Sequence, residues 1–160
     1  MPAQDFKGTL TGTGTLTADE TKSLSGKLDV PGAWTTPAFN AGNFTADGAM
    51  TWTVGAGDIG CYAYTIAGKV MTVIFDIYTS TIGGTPSTYL LMAIPGTPTA
   101  TKTFNQPILI TDNGVNGIGI ALVVAGATAI RLYKDATQAA NWAASTDNTR
   151  VSGQITFEID

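Results

Sequence analysis

Catalysis starts from side chains that can shuttle protons, attack or coordinate, and this 160-residue sequence offers few of them. It has no His, which removes Ser–His and Cys–His nucleophile pairs and the commonest metal ligand. Cys61 is the single cysteine, so a structural zinc site of the usual Cys/His kind cannot be assembled and no intrachain disulfide exists. It lies in a strand-like run and is expected as a buried free thiol. Of the twelve acids ten are Asp. Asp47, Asp58, Asp112, Asp135 and Asp147 sit beside Gly, Asn or Ala, where Asp makes caps and Asx-turns. A glycosidase needs two carboxylates across one cleft. Asp76 is the only acid centred in a strong strand pattern, sharing a face with Ile74 and Tyr78, and no second acid pairs with it by spacing. Asp112, Asn113 and Asn116 with Gly114 and Gly117 lack the repeated acids and distal Glu of an EF-hand loop, so a hairpin turn is expected there. The Gly-Thr repeats lack the Gly-Lys-Ser/Thr ending that cradles phosphate. Asn43-Phe44-Thr45 matches a glycosylation acceptor but carries no weight without a secretory signal. The expectation is no enzyme, with no catalytic, cofactor or metal residue.

The aromatics are the remaining chemistry. Trp34, Trp52, Trp142, Tyr78 and Tyr89 could stack on sugar rings. Trp52 falls in a strand and reads as core. Trp34 and Trp142 fall in loop-like stretches, where a subunit contact and a ligand platform are both open, because Trp couples a large apolar area to one donor, with packing the favoured use of these aromatics.

The elements that must hold these residues read as strands. Period-two alternation dominates and no segment shows a helical period. Phe44, Met50, Trp52 and Val54 suggest a strand interrupted at Asp47-Gly48. Tyr62, Tyr64 and Ile66 alternate into the Ala67-Gly68 turn, and Met71, Val73, Phe75 and Ile77 alternate out of it, the strongest hairpin signal in the chain. A Gly/Thr-rich loop is expected from Thr79 to Thr88. Further strands are expected at Tyr89 to Ile94, Phe104 to Thr111, Ile118 to Val124 and Ala129 to Tyr133. Pro107 hints at an edge position. Ala136 to Asn148 reads as a polar connection with one helical turn, and Ile155, Phe157 and Ile159 alternate in the closing strand. Short strands with turns between them predict an all-β, antiparallel β-sandwich or jelly roll. Residues 43–160 form its body. Residues 1–42 form an extended Thr/Gly-rich N-terminal arm, with the repeat Gly8-Thr9-Leu10-Thr11 and Gly14-Thr15-Leu16-Thr17 and sparse anchors Leu24, Leu28 and Val30.

Composition narrows the partners. Hydrophobic residues at 44% exclude a disordered acidic tail. Charged residues at 12% are about half the usual share, leaving a neutral surface suited to burial against other copies. A net charge of −4 without any Lys/Arg cluster argues against nucleic acid. The longest largely apolar run, Ile118 to Ala129, is too short for a membrane span. The start, MPAQDFKGTL, holds no basic segment followed by an apolar core, so no secretory signal is expected.

One resemblance adds to this. Asn43-Phe44-Thr45-Ala46-Asp47-Gly48, Met50-Thr51-Trp52-Thr53-Val54, Gly57-Asp58, Tyr62-Ala63-Tyr64 and Gly68-Lys69-Val70-Met71-Thr72-Val73 come in order. Ile82-Gly83-Gly84-Thr85-Pro86, Leu91 to Pro95 and Val151-Ser152-Gly153-Gln154-Ile155-Thr156-Phe157 follow. In this order they resemble the trimeric β-sandwich module of tailed-bacteriophage virion proteins, with a more distant likeness to the complement and tumour-necrosis-factor fold. The likeness covers residues 43–160 and holds no catalytic signature. It implies a homotrimer on the virion surface, made in the host cytoplasm and bound to other virion proteins as a capsid decoration or a tail or fibre-tip subunit. The arm would clasp neighbouring subunits. The alternative it implies is a receptor-binding module for a host surface glycan. The segment ahead of the module is too short for a fibrous shaft, a departure from a full-length tail fibre.

Overall fold

A computed structural model describes residues 33–160. The Thr/Gly repeats and the anchors Leu10 to Val30, with most of the expected arm, lie outside the described residues. Residues 33–42, assigned to the arm from sequence, lie against the body. Thr35 exchanges two backbone hydrogen bonds with Tyr64 (2.8 and 2.9 Å), and the Phe39 ring stacks 6.4 Å from Phe44.

The described residues form nine strands: β1 (Phe44–Ala46), β2 (Met50–Thr53), β3 (Ile59–Ala67), β4 (Val70–Gly84), β5 (Tyr89–Ala93), β6 (Phe104–Asp112), β7 (Val115–Val123), β8 (Ala129–Tyr133) and β9 (Ser145–Glu158). Every pairing is antiparallel, in the order β1-β5-β8-β7-β6-β9-β4-β2, with β3 also on β4. The protein is therefore the antiparallel all-β sandwich its alternation predicts. One leaf is β1-β5-β8-β7-β6. The other is β9-β4 with β2 and β3 side by side along β4. The leaves meet where Leu109–Thr111 of β6 pair with Arg150–Ser152 of β9.

Period-two alternation explains the core. Met71, Val73, Phe75 and Ile77 of β4 are buried while Thr72, Ile74 and Asp76 between them are not. Val151, Ile155 and Phe157 of β9 do the same, and Leu90, Met92, Ala121, Val123, Ile130 and Leu132 face them from the other leaf. At the junction the leaves come too close for side chains on both. A Cβ on Gly153 of β9 would lie 2.7 Å from Ile108 of β6. Glycine is the residue that permits this approach.

Three local expectations change. The stretch 79–88 is strand as far as Gly84, not loop: Thr79 takes φ 54°, the β4–β9 register slips after Ile77, and beyond that bulge Ile82 returns to the core while β2 pairs with residues 81–84. A bulge of this kind re-aims a strand without ending it. No helical turn forms between residues 136 and 144, and β9 starts at Ser145. Pro107 is not on an edge strand, since β6 has β7 on one side and β9 on the other. The β9 ladder nevertheless begins only at Leu109, beyond the residue that lacks an N–H. The Asp112-Asn113-Gly114 turn forms as expected, with φ 47° at Asn113 and 82° at Gly114.

Candidate functional site

The acids among the described residues are held in contacts of the fold. Asp76 projects from the outer face of β4 and accepts a two-pronged contact from Arg150 of β9, Nε at 2.8 Å and Nη2 at 2.9 Å. Sequence spacing left Asp76 without a partner, because an Arg 74 positions away is a neighbour only through the β4–β9 ladder. Asp112 accepts from Lys134 Nζ (2.7 Å) and the Ala143 N–H (2.8 Å). Asp58 accepts from the Gly55 N–H and the Thr79 hydroxyl, and Asp135 from the Thr137 hydroxyl and the Ala140 N–H. Asp147 accepts from the Thr81 hydroxyl. Among the described residues no group of three His, Cys, Asp or Glu side chains is placed to hold a metal ion.

Cys61 is a free thiol, half-buried rather than buried as expected, because its side chain lies on the outer side of β3 opposite Asp76. Burial, then the Asp76 carboxylate, pushes its pKa up, which disfavours the nucleophilic thiolate. Burial likewise pushes up the Tyr62 phenol, which donates to the Ala93 carbonyl at 2.6 Å.

The two loop tryptophans separate. Trp34 is 51% exposed on the stretch that borders β3. Trp142 is 0% exposed; its indole N–H donates to the Leu132 carbonyl (3.2 Å) and its ring joins the core. The expectation that Trp142 offers a ligand or subunit contact is corrected: the connection ahead of β9 folds inward and uses the ring as a plug. Trp52 is core as expected, donating to Ser80 Oγ at 2.9 Å, and the Ser80 hydroxyl in turn donates to the Thr149 carbonyl at 3.0 Å.

The outer faces of the leaves hold what the motifs did not show. On the second leaf Thr72, Asp76, Arg150, Ser152, Gln154 and Thr156 alternate with the core residues, with Val70, Ile74 and Tyr78 among them, and Thr72 and Thr156 share a hydroxyl contact of 2.9 Å. On the first leaf the corresponding positions are Leu91 of β5, Leu122, Ile120 and Ile118 of β7, and Leu109 of β6. None of these packs into the core. Leu109 and Ile118 are directly opposed across the β6–β7 ladder and are 62% and 57% exposed. Between Leu91 and Leu122, Arg131 of β8 lies 4.9 Å from the centre of the Tyr89 ring, which packs 5.4 Å from Tyr133. The signal was present in the sequence. Residues 118–123 are apolar at nearly every position, the mark of a strand covered on both sides. The run is the strand expected at Ile118 to Val124, but its second apolar side carries no expectation of a contact there.

No family model, curated protein or solved structure matches the chain.

Proposed function

We propose that this protein is a structural subunit of a bacteriophage particle, a homotrimeric surface appendage of the capsid-decoration or tail-tip kind. The observation that supports an assembly role is the outer surface. Large apolar side chains stand exposed on a well-packed sandwich: Trp34, Phe39, Val70, Phe104, Leu109, Val115 and Ile118. Only 12% of the chain is charged. Leu109 and Ile118 adjoin across the β6–β7 ladder, and adjoining exposed apolar side chains on a folded domain mark a contact that the isolated chain does not complete. The particle itself rests on the sequence resemblance.

Light scattering on a size-exclusion column tests the assembly. A mass near three times 16.5 kDa is expected, and a monomer at every working concentration overturns the reading. Antibody labelling of purified particles tests the location, and particles that carry none of the protein would refute it.

A second reading, a host-glycan receptor module, draws on Trp34, whose exposed indole is the platform that sugar stacking needs. Binding on a glycan array that Trp34→Ala abolishes would favour it; an array without signal removes it.

A further inference from the structure

We propose that copies of this chain meet through the outer face of the first leaf, centred on Leu109, Ile118, Ile120 and Leu122. The inference rests on the assembly reading above and names the surface that performs it. The alternation that builds β6 and β7 already assigns Ile108, Ile110, Ala121 and Val123 to the core, so the outward set is not needed to close the sandwich.

Charge selects the occupant. Each copy carries net −4, so two copies repel wherever their acids face each other. The β6–β7 ridge of Leu109, Ile118 and Ile120 holds no ionisable side chain; Arg131 of β8 stands beside it, between Leu91 and Leu122 and against Tyr89, and Asp112 is paired with Lys134. A polyanion would find a single cation here, whereas a second copy laid ridge to ridge brings no acid against acid.

Size and shape agree. Four strands about 4.8 Å apart and five residues rising about 3.3 Å each give a face of roughly 15 by 17 Å. That is on the order of a third of the ~800 Å² that each partner buries in a standard interface. It matches the apolar centre of such a contact, with uncharged groups such as Asn116 and Gln154 available for the polar rim. Beside the ridge a hollow of about 280 Å³, lined by Pro107, Leu109, Ile118, Gly153 and Gln154, can receive a side chain from the neighbour. An interface with so small an apolar centre is concentration-dependent.

The test compares solution mass across a dilution series for the wild type, Leu109→Glu/Ile118→Glu and Val70→Glu, the last on the outer face of the second leaf. The paired substitution is expected to weaken association at least a hundredfold, while Val70→Glu leaves it within about twofold. A wild type that associates together with an equally associating double variant overturns this inference and leaves the assembly reading standing. A wild type that never associates overturns both. A second readout avoids any folding defect from buried charge. In a Cys61→Ser background, maleimide should label Ile118→Cys at least tenfold more slowly than Val70→Cys in the associated sample. Equal rates would reject the proposed face.

Discussion

The two leaves present the same inner side and opposite outer sides. Inside, β4 and β9 answer β7 and β8 with one continuous apolar core. Outside, β4 and β9 carry mostly polar groups, Thr72, Asp76, Arg150, Gln154 and Thr156, with Val70, Ile74 and Tyr78 set among them, whereas β6 and β7 carry the adjoining Leu109, Ile118, Ile120 and Leu122. Core burial fixes one parity of each strand and leaves the other free, so the outward parity records what each face meets. Hydroxyls and an Arg–carboxylate fork satisfy water on the second leaf. A row of aliphatic side chains on the first leaf does not.

If the leaves owe their place to the shared core and not to these outer contacts, the largest loss should come from cutting inside. Trp142 is the largest fully buried side chain, wedged beside β8 with its N–H on the Leu132 carbonyl. Trp142→Ala should cost about 3–5 kcal/mol through the cavity it leaves. For a chain of this size that lowers the melting temperature by roughly 10 °C or more. Trp34→Ala removes an equal volume from an exposed position and should change melting by only about 1–2 °C. Calorimetry on the two variants decides it, and similar losses would mean that the burial contrast between the two rings is wrong.

The inner sides differ in one respect that a smaller substitution can expose. The second leaf buries a polar knot: Trp52 donates to Ser80, Ser80 to the Thr149 carbonyl, and the Ser145 and Thr149 hydroxyls share a contact of 2.6 Å. Ser80→Ala strands the buried Trp52 N–H, with an expected cost of about 1–3 kcal/mol. Chemical denaturation measures it. A neutral outcome would mean that water or a rotated Thr149 replaces the lost acceptor.

The sandwich was legible because alternation is a local property of each strand. Met71 to Ile77 and Ile155 to Phe157 announce their inward side without knowledge of their neighbours. The site was less legible because outer contacts depend on pairing. Arg150 reaches Asp76 only through the β4–β9 register, and Leu109 becomes a neighbour of Ile118 only once β6 and β7 close their hairpin. Trp142 misled for the same reason. Its flanking residues are polar and loop-like, and nothing local says that the loop folds over the end of the core. The bulge at Thr79 was hidden because a Gly/Thr-rich strand and a loop share one composition.

The smallest effect concerns one carboxylate on each leaf. Asp47, at the rim of the first leaf, is held below its ordinary value of 3.8 chiefly by the Ser87 hydroxyl at 2.6 Å. Glu158, on the second leaf, is held below 4.5 by Lys102 at 2.8 Å, first as a hydrogen bond and then through its charge. Both folded values are depressed, so each contribution is fully present above the ordinary carboxylate range and is lost as pH falls through the folded value. The Lys102 pair is open to solvent, and at about 1 M salt, where the screening length is roughly 3 Å, its effect should largely vanish. A neutral hydroxyl donor is far less sensitive to screening. In melting curves taken from pH 6 to pH 3, Lys102→Ala should therefore differ from wild type at low salt and converge with it at high salt. Ser87→Ala should keep its difference at both. If the Ser87 effect also faded with salt, Asp47 would be governed by Arg131 across the rim of the apolar face, and the two leaves would be alike in their electrostatics.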